Sequence, residues 1–240
     1  LELLLEKVSI AVPYHGNRVA WANELIASVA DDPTVEEIVY SAEPGSNTSF
    51  TRHLKVKIKK LSRKHFVFKN KISAMKMASC ETVILLDSDN LITTKYIDCA
   101  IKDSESNMIR CPVMGSPYLD YRSYAGDKID LQKAILHIKN NTKAFDCLLN
   151  TMNWVCNRDF FLESVSMFEE YDPFIADSMF INYCLLKNGG YLYIDKDLEY
   201  GHRVHKGSTW KINAGRGKES IASVKKLFME NNDASNERSS

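Results

Sequence analysis

Asp87 and Asp89 close an apolar run, Thr82-Val83-Ile84-Leu85-Leu86, with Ser88 between them and Asn90 after. Two carboxylates this close repel unless a positive group sits between or near them. A divalent cation is the usual answer. Hard oxygen ligands with few protein contacts suit Mg²⁺ or Mn²⁺, with a substrate phosphate completing the shell. The same residues also form a good Asx-rich turn, capping a helix that starts near Thr93. On the residues alone both readings stay open.

The preceding sequence supplies elements that would hold such a turn. Val8-Ser9-Ile10-Ala11-Val12 is a short apolar run stopped by Pro13, as in a buried strand. Arg18 to Ala30 places Val19, Ala22, Leu25, Ile26 and Val29 at helical spacing. Asp31-Asp32-Pro33 ends it, because the residue before proline is pushed out of the α region. Glu37-Ile38-Val39-Tyr40 reads as a second strand, followed by a loop at Ala42 to Asn47. Leu54 to Lys59 alternates as a half-exposed strand does. Its basic run (Lys55, Lys57, Lys59, Lys60, Arg63, Lys64) is therefore a solvated face and not a polyanion site. Asn70 to Ser79 is a predicted helix, and Thr82 to Leu86 fits a central strand covered on both faces. The order β-α-β-β-α-β predicts an α/β fold with a mostly parallel sheet and helices on both faces. Ligands in such sheets sit beyond the carboxyl ends of the strands. Three of those ends carry suggestive groups: Pro13-Tyr14-His15, Ala42-Glu43 and Asp87-Ser88-Asp89.

The second half is less regular. A helix is expected over Asp177 to Lys187, ended by Gly189-Gly190, then a strand at Tyr191 to Ile194 and an amphipathic helix at Glu219 to Met229. One domain over residues 1–230 is expected. About 1–110 makes its first half, about 111–230 its second, and 231–240 a disordered tail. With 31 Lys+Arg against 31 Asp+Glu, the net charge is zero, which argues against a nucleic-acid binder. No apolar run reaches the roughly 18–20 residues of a membrane span. Leu1 to Glu6 makes a poor signal peptide. The chain opens at Leu1 and not Met, as a trimmed protein or a domain cut from a longer one would. The six scattered cysteines, with no CxxC pair, read as reduced thiols in a cytoplasmic protein.

Several stretches, taken in order, resemble the GT-A nucleotide-diphospho-sugar glycosyltransferases, specifically the family 2-like group. Val8 to His15 is similar to that group's opening strand and turn, and Lys69-Asn70-Lys71 to its Ala-Arg-Asn segment. Thr82 to Asn90 is similar to its strand plus DxD. Phe174-Ile175-Ala176-Asp177 with Gly189-Gly190 is similar to its Glu-Asp motif and following glycine. Tyr200 to Ser208 is similar to its late His segment. The chain departs from the pattern at Ser41-Ala42-Glu43, where aspartates are usual, at Ala176, and at Lys69 in place of Arg.

The resemblance implies metal-dependent, inverting transfer of a sugar from a nucleoside-diphosphate donor, a UDP-sugar foremost, to a hydroxyl of a glycan or glycoconjugate. Asp177 is then the base. Asp89 is a direct ligand of Mn²⁺ or Mg²⁺, with Asp87 through water or on the ribose and His205 as third ligand (His202 as runner-up). Pro13, Tyr14, Glu43, Lys69, Asp87 and Ser88 would hold the nucleotide sugar, with Tyr14 stacking on the base. Lys206 and Lys211 could reach the diphosphate. Asn153 and Trp154 would offer an acceptor platform. The alternatives are a non-catalytic nucleotide-sugar-binding domain and a sugar-nucleotide nucleotidyltransferase. The single glycine of Pro13 to Arg18 disfavours the latter. A haloacid-dehalogenase-type phosphatase is disfavoured by Leu91, where Thr or Val is wanted.

Overall fold

The computed structural model describes residues 6–64, 67–102, 105–142, 145, 148–149, 153–168, 170–171, 173–206 and 214–236 (backbone alone for 214 and 231–236). The first half follows the expected order. Strand β1 (Val8–Tyr14) leads to α1 (Val19–Val29), β2 (Val35–Ala42), β3 (Val56–Lys60), α2 (Val67–Met77), β4 (Thr82–Leu85) and α3 (Thr94–Ala100). The second half adds β5 (Met108–Ser116), β6 (Leu119–Asp120), β7 (Lys128–Ile129), α4 (Leu131–Lys139), β8 (Trp154–Asn157), α5 (Arg158–Ser166), α6 (Asp177–Lys187), β9 (Tyr191–Gly201) and α7 (Ala214–Asn236).

These strands form one sheet in the order β3-β2-β1-β4-β8-β5-β9-β7, with β6 beside β5. Strands β3, β2, β1 and β4 are parallel, and β5 pairs parallel with β9. Strand β8 runs antiparallel between β4 and β5. Both faces are covered, which is why β1 is buried at every position and carries no polar alternation. On one face α1 and α3 pack Leu25, Ile26, Tyr96 and Ile97 against Ile10, Val12 and Ile84. On the other, α2, α4, α5, α6 and α7 pack Phe68, Ile135, Phe161, Phe180 and Phe228 over Ala11, Val83 and Leu85. Each buried Leu, Ile or Phe contributes about 1.5–3 kcal/mol of transfer free energy.

The chain order reverses at β1: β2 lies on one side of it and β4 on the other. Their carboxyl ends open a crevice at that switch point, where open α/β sheets bind ligands. Gly16 makes the first turn out of β1 at φ +73°, a conformation only glycine adopts without strain. Gly189 does the same after α6, at φ +84°. The helix predicted at Glu219 to Met229 is longer, and backbone helix through Asn236 replaces the first part of the expected disordered tail. Residues 237–240 lie outside the described residues. Among the described residues no helix is long and apolar enough to cross a membrane. Cys80, Cys99, Cys111, Cys156 and Cys184 are free, and Cys147 lies outside the described residues.

Candidate functional site

Strand β4 ends at Leu85, and Leu86 to Asn90 turns across the mouth of the crevice. The turn is braced from below. Asn153, at φ +75° and buried, accepts hydrogen bonds on its side-chain oxygen from the Asp87 amide (2.9 Å) and from Asn90 Nδ2 (3.2 Å). The Asn90 carboxamide oxygen in turn accepts from the Arg203 amide (3.3 Å). A two-way bridge between Leu91 and Gly201 ties the same turn to the end of β9. The late His segment is thereby carried to the acidic turn from more than a hundred residues away.

Around Asp89 stand two arginines and two histidines. Arg18 Nη1 lies 3.3 Å from Asp89 Oδ2 and donates to Ser88 Oγ at 2.8 Å. His205 Nε2 is 2.9 Å from the same carboxylate oxygen. Arg203 Nη1 donates to the Asp89 carbonyl (3.3 Å), and its Nη2 meets Glu24 (2.6 Å). The indole of Trp21 packs against the His205 ring, with the Arg18 guanidinium 5.6 Å and that of Arg203 5.9 Å from its centroid. His15 bonds Arg18 Nη2 at 3.1 Å. Burial, then the Arg18 charge, hold its imidazole down to about pKa 4.

Around Asp87 the arrangement differs. Lys71, on the inward face of α2 with Phe68, Ile72 and Met75, is 2% exposed. Its ammonium lies 3.4 Å from Asp87 Oδ1 and forms a short ion pair with Asp177 Oδ2. Burial works against that ammonium, but the Asp177 and Asp87 charges outweigh it and raise the Lys71 pKa. The Asp87 carboxyl is raised too: loss of water leads, Lys71 opposes, and Asp89 and Asp177 reinforce. Asp177 opens α6, where the helix dipole favours a carboxylate. One lysine therefore joins the acid of the β4 turn to the acid of the later helix.

The predicted set is only partly assembled. Asp87, Ser88, Asp89, His205 and Asp177 come together at the crevice. Glu43 sits half-buried beside it, its carboxyl raised by burial against the nearby Lys64 charge. Tyr14 cannot stack on a base. Its ring is fully buried against Tyr40 and Phe50, its hydroxyl donates to the Asn47 carbonyl (2.8 Å), and it accepts from the Arg18 amide (2.9 Å). It positions Arg18 instead. Pro13 is buried within β1 opposite Ser41 and presents no ligand surface. Lys69 is directed to Glu170 (3.8 Å), away from the acids. Trp154 is no platform: β8 lies inside the sheet, opposite Leu85, and the indole is fully buried. Asn153 braces the turn and is 1% exposed, so it too is closed to an acceptor. His202 stacks edge-on to Tyr118 and Tyr200 at the rim, its imidazole lowered by burial against the pull of Asp87 and Asp89. Lys206 is exposed; Gly207, Ser208 and Lys211 lie outside the described residues.

Arg18, Lys71 and Arg203 are the groups the sequence reading passed over. Lys71 carried a signal, since a lysine spaced with Phe68, Ile72 and Met75 on the apolar face of a helix needs an acid partner.

Among the described residues no group of three or more His, Cys, Asp or Glu could hold a metal. The 2.9 Å between Asp89 Oδ2 and His205 Nε2 matches two neighbouring ligands of an octahedral ion with bonds of about 2.1 Å. The pair offers one carboxylate oxygen and one imidazole nitrogen, two donor types that Mn²⁺ accepts.

Comparison with protein-family models and with curated protein sequences finds no match. Among solved structures the chain is similar to S. aureus TarS 1-349 (TM-score 0.59, 19% identity, covering 81% of this chain and 59% of that one). It is likewise similar to S. aureus TarS 1-349 in complex with UDP (0.57, 15%, 91% and 65%) and to S. aureus TarS (0.53, 18%, 88% and 39%). The chain thus spans less than two thirds of each of those chains. The likeness is one of fold: this is a GT-A-like α/β domain, as the ordered motifs led us to expect.

Proposed function

We propose that the protein is a glycosyltransferase that moves a sugar from a nucleoside-diphosphate sugar to a hydroxyl acceptor, inverting the anomeric centre. The observation that carries this reading is the Asp87–Lys71–Asp177 bridge, beside a cationic rim on Asp89, at the switch point of the sheet. The TarS structure holding UDP supports a uridine diphosphate donor.

The donor's diphosphate would lie along Arg18 and Arg203, whose positive charges and donors suit phosphate oxygens. Asp89 and His205 would hold Mn²⁺ or Mg²⁺, with Asp87 through water. When bound, the cation supplies Lewis-acid neutralisation of the leaving diphosphate. Asp177 accepts the proton of the acceptor hydroxyl as its oxygen forms a bond to the anomeric carbon. The bond from that carbon to the diphosphate oxygen breaks, and its electron pair leaves with the nucleotide. Lys71 holds the Asp177 carboxylate in place through their ion pair, so that the base is positioned before the acceptor arrives.

A thermal-shift screen of nucleoside diphosphates with and without Mn²⁺ tests the donor site. A ligand at ~100 times its Kd stabilises by about 2.7 kcal/mol, which raises Tm by about 5 °C at this chain length. A Mn²⁺-dependent shift with UDP is expected, and no shift with any diphosphate in a folded sample refutes the reading. Asp177→Asn separates enzyme from binder. It should keep the UDP shift and lose turnover of the UDP-sugar that the screen selects, by two to four orders of magnitude.

A further inference from the structure

A second cavity, of about 320 Å³, opens between the segment before α6 and the first turns of α7. One wall is aromatic and apolar, made by Tyr171, Pro173 and Phe174. The other is polar, made by Arg216, Glu219, Ser220 and Ser223. Its size is that of a small-molecule site. Both walls are held in place without a ligand. The Tyr171 ring stacks on Phe180 at 4.3 Å, and the Arg216 guanidinium lies 4.9 Å from the centre of the Phe174 ring. Phe174 itself sits at φ +54°, a conformation that costs a non-glycine residue free energy. Such strain is kept where the surroundings over-determine it.

The cavity is near the chemistry. Phe174 is three residues before Asp177, and three residues of chain span at most about 11 Å. The Phe174 edge of the cavity therefore lies within about 11 Å of Asp177 along the chain.

The lining also selects a chemical class. Arg216 and Glu219 balance in charge, so the cavity neither attracts nor repels ions strongly. A carboxylate that accepts, a guanidinium that donates and two hydroxyls beside aromatic rings suit a neutral ring bearing neighbouring hydroxyls. The Ser220 and Ser223 hydroxyls donate back to the Arg216 and Glu219 carbonyls (3.1 and 3.0 Å), which commits their protons and leaves their oxygens as acceptors.

We infer that this cavity is an outer acceptor subsite for a neutral sugar unit one position removed from the attacked hydroxyl, so that the acceptor is a di- or oligosaccharide. The inference rests on the glycosyltransferase reading above, because it takes Asp177 as the point of attack. Trp154 and Asn153, closed to ligand, are replaced in this role by Phe174, Arg216 and Glu219.

The test uses the full chain and two variants, Glu219→Ala and Ser220→Trp. The first removes the acceptor carboxylate, and the second fills the cavity from an α7 position. The probes are a panel of neutral gluco-, galacto-, manno- and N-acetylglucosamine-based disaccharides with the matching methyl monoglycosides, read by saturation-transfer NMR. UDP with Mn²⁺ is read separately by thermal shift on the same samples. At least one disaccharide should bind the parent chain tenfold or more tighter than its monoglycoside. Binding should weaken at least fivefold in Glu219→Ala and vanish in Ser220→Trp, with the UDP shift kept in both. If no disaccharide binds, or if binding survives Ser220→Trp, the subsite is overturned while a retained UDP shift leaves the donor reading standing. If UDP gives no shift, the glycosyltransferase reading falls, and the acceptor assignment with it.

Discussion

Removing the Lys71 ammonium while keeping its length, as Lys71→Met does, leaves two carboxylates facing one another without a counter-charge. The Lys71 side chain is 3% exposed and that of Asp177 11%, so water cannot take over fully; Asp87, at 32%, is partly rescued by solvent. Breaking a buried pair by deleting one partner costs about 3–5 kcal/mol. With ~2.1 cal/mol/K per residue, this chain unfolds with an entropy of about 0.5 kcal/mol/K, so each kcal/mol is about 2 °C. Lys71→Met should therefore lower Tm by about 6–10 °C at neutral pH. Lys71→Met/Asp177→Asn should recover much of that loss, because a neutral pair of similar shape leaves no orphaned charge. The pH dependence carries the sign. A raised lysine pKa means that the stability it contributes is complete below about 10.5 and is lost as pH rises through the folded value. The parent chain should show this loss at high pH, and Lys71→Met should not. At acidic pH the gap between parent and variant should narrow as the Asp87 carboxyl, already raised by loss of water, protonates. Scanning calorimetry across pH 4–11 reads all of this. A drop below about 1 °C in Lys71→Met, or a double variant no better than the single, would show that the bridge does not hold the site together.

Three further outcomes follow from the same geometry. Glu37 is fully buried and accepts from Ser9 Oγ (2.8 Å), the Ser79 amide (2.6 Å), Ser79 Oγ (2.7 Å) and Lys57 Nζ (2.6 Å), so Glu37→Ala should cost about 2–4 kcal/mol in denaturant unfolding. Burial raises the Glu37 carboxyl, but those four bonds outweigh it and the net shift is downward. Its contribution should be present above about pH 4.5 and lost as pH falls, a slope absent from Glu37→Gln. Asp89→Asn and His205→Ala should each remove the Mn²⁺-dependent part of the UDP thermal shift, and an unchanged Mn²⁺ increment would take the cation off that pair. Gly115→Ala should be destabilising by about 1–3 kcal/mol, since a Cβ there would sit 2.7 Å from the Tyr200 hydroxyl; a neutral melting temperature would contradict that packing.

Legibility in the sequence followed hydrophobic period and breakers. Strands β1, β2 and β4 were found from their apolar runs, with a turn cluster or an acidic turn closing β2 and β4, although β1 runs through Pro13 to Tyr14 and does not stop there; α1 and α6 were found because their apolar spacing met Pro33 or Gly189. Strand β5 was missed because Arg110 and Pro112 lie inside it. Arg110 is buried by two hydrogen bonds to Asp195 Oδ2 (2.8 and 2.6 Å), and Pro112 sits where the register shifts. Asp195 likewise made β9 look four residues long when it runs to Gly201. Helices α4 and α5 had their signals in Asp130 and Asn157, which cap them by accepting from the Lys133 and Phe160 amides, and in the helical spacing of Ala134, Ile135 and Ile138 and of Phe161 and Val165, which the reading of the second half as irregular left unused. At the site, residue type was legible and direction was not. A tyrosine, a tryptophan and an asparagine near strand ends turned inward, and a lysine on an apolar face turned out to be central.

The two outer edges of the sheet show how the molecule avoids its own kind. A sheet edge is a row of unsatisfied amides and carbonyls waiting for another strand. At one end the outermost strand is only Lys128–Ile129, too short by itself to template another strand. At the other it is β3, longer and largely exposed, where Lys57, Lys59 and Lys60 would each have to be dehydrated or set beside a like charge before a second chain could add. The lysine run that is easily mistaken for a binding surface therefore works as a deterrent. Replacing those lysines by valine would leave the crevice untouched and turn a well-behaved domain into one that grows by edge-to-edge addition.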